Sequence, residues 1–166
     1  HGDDPASRTC VLLLRYAEIE FDHMPSAHGE YLLVDGARIV DPISRLYYAS
    51  AITRTLPRSH EFSGRLLSLC SEFLRVSDDE LPALIEAHVE DQWAGGTDVP
   101  SVVDFVLCER IRGMVLVDRA AYSDTVEQYA RDIARHICDP LEIADDTDTS
   151  DADDPADDVD TDKKTI

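Results

Sequence analysis

Lysine is all but missing from this chain. Its two lysines, Lys163 and Lys164, stand near the end, and all 13 bases of residues 1–140 are arginine. Long apolar runs are missing too. The longest aliphatic stretch is Val11-Leu12-Leu13-Leu14, far short of the roughly 20 residues a membrane span needs. No basic stretch leads into an apolar one, so no signal peptide is expected. The four cysteines, Cys10, Cys70, Cys108 and Cys138, form no CxxC pair, and no histidine is placed to complete a zinc finger or ribbon. Their expected role is that of small buried hydrophobes. The dinucleotide fingerprint, the P-loop and the nucleophile elbow are absent, which removes the usual signatures of those enzyme classes. Gly95-Gly96 follows a helical pattern rather than a strand and is read as a helix stop.

Acid fills the space that lysine leaves. Among 166 residues, 35 are Asp or Glu against 15 Lys or Arg, a net charge of −20. Residues 141–166 hold 11 acids and two lysines and carry −9; the remaining −11 falls on residues 1–140. Such a body repels itself in dilute buffer. In molar salt the Debye length shrinks to about 3 Å and most of that repulsion is screened. The composition therefore predicts a soluble, cytoplasmic protein of a halophile or its virus. A GC-rich genome would deplete lysine but would not supply the acid. Nucleic-acid binding draws on Lys and Arg neutralising phosphates, and no basic stripe is present, so a nucleic-acid partner is not favoured.

The pattern along the chain predicts an α+β, helix-dominated fold. A small N-terminal hairpin or three-stranded sheet is expected to pack on about five helices. Residues 1–8 read as a flexible N-terminus, 9–140 as one globular domain, and 141–166 as a disordered acidic tail too poor in apolar surface to offset ordering entropy. Within the domain, Thr9–Phe21 suits a strand, because Ala17, Ile19 and Phe21 alternate with Glu18 and Glu20. Its partner is Tyr31–Val40, where Asp35-Gly36 signals a type I′ turn. Helices follow over Ile43–Leu56, Ser59–Val76, Asp78–Trp93, Ser101–Arg112 and Ser123–Cys138. Ser77–Glu80 and Ser101–Asp104 have the spacing of capping boxes. Met114–Val117 reads as a third strand or buried turn.

Three sets of residues could carry function. Tyr47, Tyr48 and Trp93 are aromatic candidates for a protein interface, with one tyrosine ring expected inward and the other near the surface. Arg110, Arg112 and Arg119 are candidate phosphate contacts. Three helices followed by a strand there resemble a winged-helix arrangement in topology, although no motif residue supports it. The competing reading pairs those arginines with Asp104, Glu109 and Asp118 at a helix C-terminus. His23 and His28 flank a loop that could gather a metal for a small enzyme, though a third ligand is wanting. The favoured reading is a non-catalytic interaction or regulatory module without a cofactor, meeting a protein partner or a second copy of itself. The winged-helix DNA-binding regulator and the metal-dependent enzyme are the alternatives.

Overall fold

The structure is a computed structural model, and it describes residues 4–22, 30–57, 59–89, 92–114 and 122–140. Six α-helices and one two-stranded antiparallel sheet make up the described residues, so the fold is α+β and helix-dominated. In chain order these are α1 (Pro5–Tyr16), β1 (Leu32–Val34), β2 (Ala37–Ile39), α2 (Pro42–Ile52), α3 (His60–Arg75), α4 (Leu81–His88), α5 (Val102–Met114) and α6 (Asp124–Ile133). A π-helical segment, Ala134–Cys138, continues α6.

The first element corrects the strand expected over Thr9–Phe21. Asp4 caps a helix there, accepting from the Ala6 amide, and Pro5 opens it. Proline suits that position because its missing N–H would be unpaired anyway. Ala6, Thr9, Cys10 and Leu13 then fall on one helical face and are buried. Residues 5–8, expected to be loose, form the first turn. The alternation of Ala17, Ile19 and Phe21 lies beyond the helix end.

Asp35 and Gly36 take φ of 48° and 80°, the turn that their pairing predicts, and Leu32 sits opposite Ile39. This hairpin pairs with no strand from residues 9–21, because those residues are helical or follow the helix. The third strand expected at Met114–Val117 fails at its first residue, since Met114 ends α5; residues 115–117 lie outside the described residues. The acidic tail, 141–166, lies outside them as well.

α5 is the centre of the molecule. Val102 through Cys108 are fully buried without a break, as expected of a helix surrounded by protein on all sides. α1 and α3 pack along it, α2 closes on α1 and α3, and α6 with its π turn covers the remaining side. The helix expected over Asp78–Trp93 is shorter at both ends. It begins at Leu81, after a turn over 78–80 in which the Glu80 and Leu81 amides donate to the Ser77 carbonyl and Ser77 Oγ donates to Glu80 Oε2. It stops at His88, where Val89 bridges to Ala94 and the Gly95 amide donates to the His88 carbonyl. Gly95 has φ of +81°, and a Cβ there would meet Leu66 Cδ2 at 2.5 Å. The positive φ favours glycine there, and an added Cβ would also make the Leu66 side chain shift.

Candidate functional site

Asp41 caps α2, accepting from the Ser44 amide at 2.7 Å. That bond holds its carboxyl below the usual value. From this start Arg45, Leu46, Ala49 and Ser50 turn inward. The positions between them, Tyr47, Tyr48, Ala51 and Ile52, face solvent. Tyr47 is 41 % exposed, Tyr48 39 % and Ile52 43 %, so both tyrosine rings lie outside rather than one in and one out. Leu46 and Ala49 take the inward places on either side of them. The two rings meet edge to face with centroids 5.4 Å apart. The sole charged residue of α2 is Arg45, and it is buried. In a chain of which 30 % is charged, this is an uncharged, partly aromatic surface.

Trp93, the third interface candidate, is only 3 % exposed and packs edge-on against His136 at 5.6 Å. The Val89–Ala94 bridge folds its segment back over the core, so the indole is a core residue and no anchor for a partner.

The arginine candidates part company. Arg110 donates to the carbonyls of Phe73 and Val76 at 2.6 and 2.9 Å and to Asp78 at 2.6 Å. It fastens the end of α3 to α5, and phosphate contact would cost those bonds. Arg112 is exposed and Arg119 lies outside the described residues. Asp104, expected to pair with these arginines, instead points into the core. His23 and His28 also lie outside the described residues. Among the described residues, no group of three His, Cys, Asp or Glu side chains is placed to hold a metal ion.

Two polar centres go beyond the sequence reading, which had of them only the Ser101–Asp104 pairing. Asp104 is wholly buried. Its Oδ1 accepts from the Tyr129 hydroxyl at 2.6 Å and the Ala94 amide at 2.9 Å; its Oδ2 accepts from the Ser101 amide at 2.7 Å and Ser101 Oγ at 3.0 Å. Burial pushes its carboxyl above the ordinary 3.8, against those four bonds, which favour the ionised form. Tyr129 is pushed well above 10 by burial and by the Asp104 charge. With every oxygen engaged and no exposure, this centre ties α6 and the 94–101 segment to α5. It does not present chemistry to a substrate. The second centre is Arg45, buried between α1 and α2. It donates to Ser7 Oγ and to Asp4 Oδ2 at 2.5 Å, with Glu30 3.7 Å away. A charged letter in the middle of α2 was the available signal for it.

A shallow groove of about 460 Å3 runs along α3, lined by Ser68, Ser71, Glu72, Arg75 and Val76. No protein-family model matches this chain, and no curated protein shows significant similarity to it.

Proposed function

We propose that this protein is a non-catalytic interaction module that binds a partner protein, or a second copy of itself, through the outer face of α2 in a salt-rich medium. The observation that carries the reading is the exposure of Tyr47, Tyr48, Ala51 and Ile52 on a helix with no exposed charge. Partly exposed tyrosines supply large contact area at small entropic cost and are enriched among interface anchors. Concentrated salt weakens attraction between exposed charges. Apolar burial does not depend on those charges. An uncharged face therefore keeps its affinity in the medium that the net charge of −20 favours.

A photo-crosslinking residue placed in turn at positions 47, 48 and 52 of the full chain tests this in molar KCl. Each is expected to capture one defined partner or a second copy, and Ile52→Asp should abolish capture while leaving the melting temperature unchanged. Absence of any crosslink from all three positions, in its native cell and in purified protein, would overturn the reading.

A further inference from the structure

Two cysteines far apart in sequence meet in the core. The sulfur of Cys108, on α5, lies 2.8 Å from that of Cys138, the last residue of the π segment. Disulfide bonding requires about 2.05 Å, so the two sulfurs stand ~0.8 Å beyond bonding distance. The π segment helps to bring them together. An α-helix places inward residues three or four apart, and Val126, Tyr129, Ile133 and Ile137 keep that spacing. The wider π turn adds a residue, and Cys138 is buried directly after Ile137. The other two thiols are elsewhere: Cys10 on α1 near Arg45, and Cys70 on α3 near Asp104.

We infer that Cys108 and Cys138 form an oxidisable pair, at which hydrogen peroxide closes a disulfide locking α5 to the end of α6. Cys138 is 8 % exposed and Cys108 fully buried, so Cys138 meets the oxidant first. Its sulfur attacks one peroxide oxygen and the O–O bond breaks. One water leaves and Cys138 becomes a sulfenic acid. The Cys108 sulfur then attacks Cys138; the S–O bond breaks, and the hydroxyl departs with the Cys108 proton as a second water. The two thiols have then lost two protons and two electrons, and one peroxide has become two waters. The hydrogen bond to Cys138 and then burial push the Cys108 thiol up. Little Cys108 thiolate is therefore present in the native state, and its attack on the Cys138 sulfenic acid is slow. The pair behaves as a lock set once, not as a fast sensor.

The test uses the full chain in molar KCl, exposed to hydrogen peroxide in two arms: as native protein, and while refolding from guanidinium. The expected result is a non-reducing peptide map that joins the Cys108 and Cys138 peptides in at least one arm. A melting temperature higher by about 10 °C and restored by dithiothreitol should accompany it, since the bridge removes loop entropy from the unfolded chain. Cys70→Ala should keep the crosslink and Cys138→Ala should lose it. If Cys138→Ala does not fold, the peptide map of the unaltered chain still decides. Free thiols in both arms, a bridge through Cys70 or Cys10 instead, or a fall in melting temperature on closure would overturn the inference.

Discussion

Asp104 stands alone as an acid among seven consecutive buried residues of α5, and a carboxyl in that position has to be fully hydrogen-bonded. Protonation keeps the set intact: Oδ2–H can donate to Ser101 Oγ, reversing that one bond. Because its folded-state pKa is raised, the native state holds this proton more tightly than the unfolded chain does. The stabilisation from Asp104 is therefore complete below its ordinary 3.8 and declines as pH rises through the folded-state value. Urea unfolding in molar KCl should show the gap between the unaltered chain and Asp104→Asn widest in acid and narrowing above it. Tyr129→Phe removes one donor and should cost about 1–2 kcal/mol. A pH-independent gap for Asp104→Asn would contradict the assignment.

The helix ends matter at the next scale. α1 and α2 close in the same way. The Ile19 amide reaches back to Leu14 and the Glu18 amide to Arg15; Thr55 reaches Ser50 and Arg54 reaches Ala51. These are Schellman motifs, whose left-handed residue is usually glycine. Here Glu18 and Arg54 occupy it, with φ of 54° and 59°. Glu18→Gly and Arg54→Gly should each stabilise the fold by about 0.5–1 kcal/mol, since the strain removed exceeds the added freedom of the unfolded chain. Chemical denaturation measures this, and destabilisation by both would show the ends to be held otherwise. The α3–α5 junction makes a different prediction. Arg110 is bound chiefly by two carbonyls, while its partner Asp78 is 76 % exposed. Exposed ion pairs contribute little, whereas carbonyls left unpaired are costly. Arg110→Ala should cost about 2 kcal/mol and Asp78→Ala under about 0.5 kcal/mol. Equal costs would place the energy in the ion pair instead.

For the molecule as a whole, the salt-rich medium proposed above turns on charge. A net −20 spread over 166 residues opposes compaction until ions shield it. The melting temperature should rise by several degrees or more between dilute buffer and molar KCl, read by circular dichroism at constant pH. A fall with added salt would remove the halophilic reading and with it the argument for an uncharged docking face.

Charge, helix periodicity, the Asp35-Gly36 turn and the Ser101–Asp104 capping box were all legible in the amino-acid order, because each rests on neighbours within a turn or two. The same locality explains the misreading of α1. Its cap, Asp4, and the Ala6 of its buried face lie before the segment whose alternation suggested a strand. Partnerships across the fold were not legible: Arg110 with the end of α3, Asp104 with Tyr129, Arg45 with Asp4, and Cys108 with Cys138 span 25 to 41 residues. Which tyrosines face solvent and whether Trp93 does depended equally on how the helices pack. Local backbone preference and composition act through the chain itself, whereas burial and side-chain pairing exist only once distant segments exclude water together.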